Sequence, residues 1–416
     1  MNKYQVIVVG GGLSGVAAAV SAARQGTKVL LIEKSGSLGG AMSNSLVFPF
    51  MKFDMINSDG SRRELSSGIF AEMRRRHIEL GGVSKHGWQA EIFKIALDDM
   101  AITAGVDLLF HNQLIGVKKQ ERNVRAVVVA GKSGIREIEA DFFIDASGDG
   151  DLFYYAGCDY QLGRESDGLC QPMTTCFRLT GVDTELFKKE KWPLIDIYNK
   201  LRAEGKITNP RENILEFYGL APGVLHLNTT RVIKHNPVDD IEISRAEVIA
   251  RKQVLEMYNF LLEYSKACEN ASIVSIAEEI GVRESRKLKG VHILKSEELK
   301  NCVDFEDSIA LGNYDIDVHN PEGTGTYIYS FKNEEYYRIP YRSLLPKEVD
   351  NLLVAGRCLS AEHLAHSAVR IIPICTCMGE AAGVAAGVAL NTNTNAHTLD
   401  VKKVQEILVK NGAQIH

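Results

Sequence analysis

A glycine-rich turn near the N-terminus constrains this chain more than any other feature. Residues 10–15 read Gly-Gly-Gly-Leu-Ser-Gly and directly follow the apolar run Val6 to Val9. Glycines at the first, third and sixth positions predict a strand that turns sharply into a helix whose N-terminus faces a pyrophosphate. Glu33 ends the next apolar run, about 20 residues downstream, where a carboxylate accepts the hydroxyls of an adenosine ribose. We therefore predict a dinucleotide-binding strand–helix–strand unit.

Composition restricts the class of protein and its partners. The chain has 416 residues, a net charge of -5 and 45% hydrophobic residues, which is typical of globular proteins and predicts no nucleic-acid partner. The eight cysteines lack CxxC spacing, so we predict no metal site and a reducing, cytoplasmic location. The apolar stretch Met378 to Leu390 contains Glu380 and is too short to cross a bilayer, so we predict no membrane insertion.

The character of the sequence changes twice along the chain. Residues 1–150 alternate apolar strand-like runs with helical patterns, and this style returns at 346–416. Residues 151–345 instead carry aromatic residues, short strand-like runs and one helical stretch, Ser244 to Cys268. A chain of this length exceeds one core. We predict an α/β fold in which a Rossmann-like domain, formed by the two outer parts, contains an inserted mixed α+β substrate domain at 151–345.

Individual elements follow from periodicity and turn residues. We predict helices over 62–80, 88–104 and 378–390. We predict strands over 106–110, 124–130, 135–138 and 351–355. A further apolar run leads into Ala146-Ser147-Gly148, where small residues allow the backbone to pass close to a ligand.

The C-terminal region indicates which dinucleotide is bound. The sequence contains one strand-GxGxxG-helix pattern, which favours one tightly held nucleotide over separate sites for flavin and nicotinamide. Residues 352–357, Leu-Leu-Val-Ala-Gly-Arg, precede Pro373 and a helix rich in glycine and alanine up to Gly387. This arrangement resembles the closing motif of two-domain FAD proteins, in which it holds the ribityl chain and the isoalloxazine. A helix N-terminus there stabilises negative charge on reduced flavin, so we expect FAD.

Further motifs occur in the order seen in the bacterial FAD-dependent oxidoreductase family. That family is distantly similar to the fumarate reductase flavoproteins and to the glutathione-reductase-type FAD fold, and the chain resembles it over essentially its whole length. The motifs lie at 38–40, 163–168, 177–179, 228–231, 281–286, 315–319 and 356–360, with His366 and Arg370. The resemblance implies an FAD enzyme with a glutathione-reductase-type fold and leaves its substrate undefined.

The fingerprint and the resemblance together assign the cofactor-binding residues. They are Gly10, Gly12, Leu13, Ser14, Gly15, Glu33, Lys34, Gly39, Gly40, Ala41, Ser43, Ala146, Ser147, Gly148, Gly356, Arg357, Gly379 and Ala381. Arg357 departs from the pattern, because many FAD proteins place an acidic residue here for the ribityl hydroxyls. Either the backbone makes that contact, or the guanidinium faces a phosphate or the substrate.

Charged and imidazole side chains in these motifs are the catalytic candidates. They are Arg286, His319, His366 and Arg370. Arg283 and Arg286 flank Glu284, which is compatible with a structural ion-pair network or with a bidentate grip on a substrate carboxylate. His319 fits a surface position as well as a catalytic one.

Three further alternatives stay open. His363 is compatible with a covalent histidyl-flavin. His226, Asn228 and Arg231 form a polar cluster that fits either a pocket or the wet face of a strand. Cys358 and Cys375 are interpreted as core residues, since no redox pair accompanies them.

These observations predict an FAD-dependent oxidoreductase. It transfers a hydride between flavin N5 and a small anionic organic substrate, with an external electron donor or acceptor as a further partner. The alternatives are an NAD-dependent dehydrogenase, and a flavin-binding electron carrier or redox sensor without turnover.

Overall fold

The N-terminal region forms an α/β unit. The computed structural model describes residues 3–84 and 87–416. The strands of this region are β1 Tyr4–Val9, β2 Val29–Ile32, β3 Asp54–Ile56, β4 Arg62–Glu64, β5 Val83–Ser84, β6 Gly87–Trp88, β7 Asp107–Leu109, β8 Gln113–Gln120, β9 Asn123–Gly131 and β10 Gly134–Asp145. Its helices are α1 Leu13–Ala23, α2 Ile69–Glu79, α3 Ala90–Thr103 and α4 Asp151–Tyr155, with a 3-10 turn at Gly40–Met42.

The remaining elements lie in the middle and C-terminal regions. Their strands are β11 Tyr160–Leu162, β12 Phe177–Thr180, β13 Glu216–Phe217, β14 Leu225–Leu227, β15 Ser272–Ile276, β16 Arg286–Leu288, β17 Ser308–Gly312, β18 Ile316–His319, β19 Thr326–Tyr329, β20 Tyr337–Pro340 and β21 Leu352–Val354. Their helices are α5 Thr184–Ala203, α6 Asp240–Tyr264, α7 Ser296–Lys300, α8 His363–Val369, α9 Ile372–Thr392 and α10 Val401–Lys410. Two 3-10 turns lie at Lys266–Cys268 and Tyr341–Leu344.

A parallel sheet carries the predicted fingerprint. Its strands run in the order β7-β2-β1-β10-β21, all parallel. The first half of β10 pairs antiparallel with β9, and β9 pairs with β8. One long strand therefore belongs to the parallel sheet and to an antiparallel meander. This sheet order, with α1 following the central strand, is a Rossmann-like arrangement, as predicted.

Alternating residues of β1 face two different cores. Val6 and Val8 pack with α1, α3 and α9, whereas Ile7 and Val9 pack against the meander. Both faces of a parallel strand are covered in this way, which explains why β1 is a continuous apolar run rather than an alternating one.

The middle region contains its own sheet and core. The sheet has the order β13-β14-β12-β15 and is antiparallel. Its core cluster lies within residues 177–276 and includes apolar side chains of α5 and α6. Most buried apolar residues from 294–345 belong instead to the cluster around α1 and α9. The boundaries 1–150, 151–345 and 346–416 stay a prediction.

Helix α9 is the central helix of the C-terminal region. It begins at Ile372, earlier than predicted, and by length and composition it is long enough to cross a membrane. The argument that this segment is too short was therefore wrong. However, 94% of its most apolar 18-residue segment is buried inside the protein. Gly379 and Gly383 lie against the carbonyl oxygens of Ser14 and Ala18, so α9 is a core helix packed closely on α1.

The predicted helix over 62–80 is wrong in its first part. Arg62–Glu64 pairs as a strand with Asp54–Ile56, and the helix begins only at Ile69. Gly68, which precedes it, has a positive φ of 59°, a conformation that ends any helical path from upstream. The predicted helix from Trp88 and the strands near 106 and 124 agree with α3, β7 and β9.

Candidate active site

The glycine turn forms one wall of a groove at the carboxyl end of β1. Gly10 has a φ of 101°, and a Cβ atom there would overlap the carbonyl group of Ala146. A Cβ on Gly15 would overlap the carbonyl oxygen of Gly10. At Gly12, by contrast, a Cβ would meet only the Cα atom of Gly40, at 3.9 Å. Two glycines therefore serve backbone packing, and Gly12 faces open space.

The N-terminus of α1 points into this open space. The first intrahelical hydrogen bond runs from Val16 N–H to Gly12 O, so the N–H groups of Leu13, Ser14 and Gly15 have no acceptor within the helix. The hydroxyl of Ser14 is buried and has no hydrogen-bond partner in the described part of the chain. These donors suit the pyrophosphate of a dinucleotide.

A second glycine loop forms the opposite wall. Gly39 N–H donates to Gly11 O at 2.8 Å, and both Gly39 and Gly40 have positive φ angles. The hydroxyl of Ser43 donates to Gly40 O at 3.1 Å. Ala41, which follows, is exposed. The two loops thus hold each other at backbone distance.

Glu33 lies at the end of β2, beside the glycine turn. Its carboxylate accepts hydrogen bonds from Gly11 N–H at 2.5 Å and from Ser35 N–H at 2.7 Å. The side chain is buried. Each oxygen retains a further lone pair, which suits the ribose hydroxyls of a bound adenosine.

A third loop follows β10 and is organised by Asp145. This fully buried carboxylate accepts from Ser147 N–H at 3.0 Å, from the Ser147 hydroxyl at 2.7 Å and from Phe153 N–H at 2.9 Å. Burial raises the pKa of the carboxyl, and these donors oppose the rise. Gly148, with a φ of 80°, completes the turn.

Arg357 connects the closing strand to this third loop. Its Nη2 lies 2.8 Å from Asp149 Oδ1, and its Nη1 donates to the Ser285 hydroxyl at 2.8 Å. Gly356 has a φ of 88°, and its Cα faces the side chain of Ser14. The residue that departs from the FAD pattern therefore forms an internal ion pair.

Three predicted cofactor residues have other contacts. Gly379 packs on the backbone of Ser14, and Ala381 is fully buried in the core. Lys34 is exposed, and its Nζ lies 3.3 Å from Glu279. Direct cofactor contacts by these three residues stay a prediction.

The groove fits a dinucleotide. Free helix N–H groups, open space at Gly12 and the unpartnered Ser14 hydroxyl suit the pyrophosphate, and Glu33 suits the ribose. The N-terminus of α9 follows Arg370, so its free N–H groups are available near the closing strand for the electron-rich edge of a reduced flavin.

A second group of side chains lies beside the start of α9. We call Arg211, Arg231, Arg283 and Arg370 the arginine cluster. Burial, together with the charges of Arg370 and Arg211, lowers the pKa of Arg283 to about 9. Burial and the charge of Arg231 likewise lower the pKa of Arg211 to about 10. The nearby carboxylates, Asp317 and Glu212, are fewer than the guanidinium groups.

His319 is held inside this cluster. Its Nδ1 lies 3.3 Å from Nη2 of Arg231 and its Nε2 lies 3.5 Å from Asp317. A guanidinium only donates, so Nδ1 is the acceptor and Nε2 carries the proton. Burial lowers the pKa of His319 to about 3, and the charge of Arg283 adds to the shift. His319 is therefore buried and neutral, and a surface position is ruled out.

His366 and Arg370 lie at the two ends of one helical turn. His366 is fully buried in α8, and its Nε2 donates to Arg357 O at 2.7 Å. Its Nδ1 has no partner in the described part of the chain. Burial lowers its pKa to about 3. Arg370 caps α8, and its buried Nε also lacks a partner there.

The contacts of Arg286 are with residues other than His319 and Arg370. Its Nη1 donates to Asp151 at 2.9 Å, and the guanidinium stacks 4.1 Å from the ring centroid of Tyr154. Its catalytic role stays a prediction. The structure instead places Arg283, the first arginine of the same motif, in the cluster.

Glu284, between these two arginines in the sequence, forms a separate buried network. It pairs with Lys287, and both side chains are fully buried. His363 Nδ1 lies 2.8 Å from Glu284 Oε2, and Gln171 N–H donates to the same oxygen at 3.0 Å. The structural ion-pair network thus involves Lys287 and His363 rather than the two arginines.

Sequence reasoning identified only part of the arginine cluster. Arg211 and Asp317 are absent from the predicted site. For Arg231, the sequence is compatible with either a pocket or the wet face of a strand. Arg231 is 1% exposed, which excludes the wet face. Arg211 and Arg231 follow Asn209 and Asn228, respectively, in short polar runs. Only their burial in the fold distinguishes them from surface arginines.

The fold and the groove define a dinucleotide-binding protein of the Rossmann-like type, with a C-terminal strand and helix that return to complete the site. The family model described as FAD dependent oxidoreductase matches residues 5–408. The chain therefore belongs to the FAD dependent oxidoreductase family. The predictions of FAD and of an oxidoreductase are confirmed.

Curated relatives share only part of their length with the chain. Mitochondrial dihydrolipoyl dehydrogenase of Schizosaccharomyces pombe is 28% identical over 153 residues, 35% of this chain and 28% of that protein. Digeranylgeranylglycerophospholipid reductase of Thermoplasma volcanium is 26% identical over 164 residues, 36% of this chain and 40% of that protein. The chain thus matches less than half the length of each relative.

Among solved structures, a geranylgeranyl bacteriochlorophyll reductase-like protein from Thermoplasma acidophilum matches with a TM-score of 0.49 at 13% identity. That match covers 99% of this chain and 84% of the other. A likeness at this level carries no argument about substrate or reaction.

Proposed function

We propose that this protein transfers a hydride between N5 of bound FAD and a small organic substrate that carries a carboxylate. FAD supplies the two-electron redox chemistry. The chain binds the cofactor in the groove between its glycine loops and holds the anionic group of the substrate with the arginine cluster. An external electron donor or acceptor completes the cycle.

The excess of buried positive charge in the arginine cluster carries this proposal. Four guanidinium groups lie near two carboxylates, Asp317 and Glu212, and burial together with mutual repulsion lowers the pKa of Arg283. Burying uncompensated charge is costly, so a bound anion stabilises this arrangement. Arg283 retains its proton at neutral pH, since its pKa is about 9.

Each polar side chain has a role in this proposal. Arg283 and Arg370 bind the carboxylate, and Arg370 precedes the N-terminus of α9, where the flavin edge is expected. Asp317 and Arg231 fix the His319 ring so that its Nε2 carries a proton. His319 and His366 are the groups available to orient the substrate or to move a proton.

Anaerobic stopped-flow spectroscopy of the FAD-loaded protein tests the proposal. Carboxylates, amines and NAD(P)H are screened for bleaching of the oxidised flavin band, and the product carboxylates for reoxidation of photoreduced enzyme. A carboxylate substrate is expected. With it, Arg283→Gln and Arg370→Gln raise KM at least tenfold, whereas Arg245→Gln, at an exposed position of α6, leaves it unchanged.

Three results would contradict the proposal. Bleaching by amines alone, or unchanged KM in both cluster variants, removes the carboxylate-binding role. A protein that exchanges electrons with a chemical donor but with none of the organic substrates is an electron carrier or redox sensor instead.

A further inference from the structure

The sheet of the middle region has a polar face as well as an apolar one. On β12, Phe177 and Leu179 belong to the core cluster, and Arg178 between them faces the other way. On β14, Leu225 and Leu227 likewise belong to the core cluster, and His226 between them faces the other way. Strand register places Arg178 directly opposite His226 on one side and Ser275 on the other. These three side chains therefore share one face of the sheet.

His226 is fully buried and has no partner on this face. Neither Nδ1 nor Nε2 makes a hydrogen bond within residues 3–84 and 87–416. Burial lowers the pKa of His226 to about 3, and the charge of Arg178 adds to the shift, so the ring is neutral. It presents one donor and one acceptor. A buried polar group without a partner destabilises the folded state, so its presence here calls for an explanation other than stability.

Arg178 presents one complete edge of its guanidinium beside this ring. Its Nε and Nη2 are buried, and neither has a partner in the described residues. These two N–H groups point in the same direction and match the two oxygens of a carboxylate. Burial lowers the pKa of Arg178, and the charge of Glu91 only partly opposes this effect. The Ser275 hydroxyl is also unpartnered there.

The face is continuous with the candidate active site. Cys176, which directly precedes β12 and is two residues before Arg178, packs with Leu46 and Ala277. The charges of Arg283, Arg178 and Arg211 all act on its thiol. Leu46 belongs to the segment that follows the second glycine loop. The polar face of Arg178 and His226 therefore lies beside the segment that follows the second glycine loop.

We propose that Arg178 and His226 form a second carboxylate-binding subsite, which selects substrates by an acidic group remote from the reacting carbon. The proposal rests on the proposed function. Arg178 binds the carboxylate through Nε and Nη2, and the neutral His226 ring contacts one of its oxygens or a neighbouring hydroxyl. Phe217, whose ring centroid lies 5.9 Å from that of His226, closes the apolar side.

The test measures ligand binding without turnover. Thermal unfolding and calorimetry of the FAD-loaded protein are recorded with acetate, succinate and phenylacetate, with the matching amides, and with inorganic phosphate. We expect carboxylates to bind and amides not to bind. Arg178→Met and His226→Phe should each lower carboxylate affinity at least tenfold.

A matched set of variants separates binding from folding. If the two side chains serve binding alone, Arg178→Met and His226→Phe keep or raise the Tm of the ligand-free protein, because an unpaired polar group is removed. Arg178→Lys keeps the charge but loses the two-donor edge, so it should also lose affinity. Arg245→Met, at an exposed position of α6, should change neither the Tm nor the carboxylate affinity.

Three outcomes overturn the subsite. These are a lowered ligand-free Tm in every variant with unchanged affinity, binding of phosphate alone, and equal binding of acids and amides. Failure of the proposed function would give a different result from failure of the subsite. In that case Arg283→Gln would leave flavin bleaching intact, while carboxylate binding at Arg178 would persist.

Discussion

Gly379 of α9 lies so close to Ser14 of α1 that a Cβ atom would overlap the Ser14 carbonyl oxygen. The two helices meet where only glycine permits the approach, and this contact brings the C-terminal region to the N-terminal half of the groove. The two ends of the cofactor site are therefore joined by close backbone contacts between these two helices.

Replacement of Gly379 by alanine should reverse the usual effect of this change. In an open helix, Gly→Ala stabilises by about 1 kcal/mol. Here the added methyl group meets backbone, and we expect a loss of about 2 kcal/mol and a lower FAD content. Thermal unfolding and the flavin absorbance ratio measure both. Gly323→Ala is the control, since nothing lies within 4 Å of its Cβ position. An unchanged Tm in Gly379→Ala would contradict the helix contact.

Glu33→Gln should weaken FAD binding without unfolding the protein. The amide cannot accept from both Gly11 N–H and Ser35 N–H, and the charge that accepts the ribose hydroxyls is lost. We expect the Kd for FAD to rise about tenfold or more. Recovery of free flavin fluorescence on dilution measures it. Glu79→Gln, at the exposed end of α2, should retain the original Kd.

Glu380 should make stability depend on pH. Burial raises its pKa to about 7, although it accepts from Ile69 N–H at 3.0 Å. The folded state thus binds a proton more tightly than the unfolded state does, so this group lowers stability as pH rises from about 4.5 to about 7. The cost above pH 7 is about 3 kcal/mol.

Glu380→Gln removes that titration. Its Tm should equal that of the parent protein at pH 5 and exceed it at pH 8. The same Tm difference at both pH values would show that Glu380 is ionised throughout.

Lys287→Met should be strongly destabilising. Lys287 and His363 hold the pKa of Glu284 at about 2 against the effect of burial, which raises it. Loss of Lys287 leaves a buried carboxylate with fewer partners, at a cost of about 3 kcal/mol. The double variant with Glu284→Gln should recover most of the lost Tm. No recovery would place the effect in packing of the Lys287 stem instead.

Local features of the site were predictable from the sequence. Gly12 and Glu33 act within one strand–helix–strand unit, so their spacing alone indicated the geometry. The helix predicted from residue 62 failed because Arg62–Glu64 pairs with a neighbouring strand, and a charged run carries no signal that separates the two states.

The arginine cluster was not predictable in the same way. Arg211, Arg283 and Arg370 come from three distant segments, and their proximity appears only once the middle sheet and α8 are placed. Arg178 was within a recognised motif, but its unpaired edge follows from strand register rather than from residue type.

Helix α9 is separated from its partner α1 by most of the chain. During synthesis, the small-residue face of α1 emerges first and has no matching surface until residues 372–392 have left the ribosome. The glycine turn is therefore synthesised early, whereas the helix that packs beside it is synthesised late. The complete groove, with its N-terminal and C-terminal parts together, can form only after most of the chain has been synthesised.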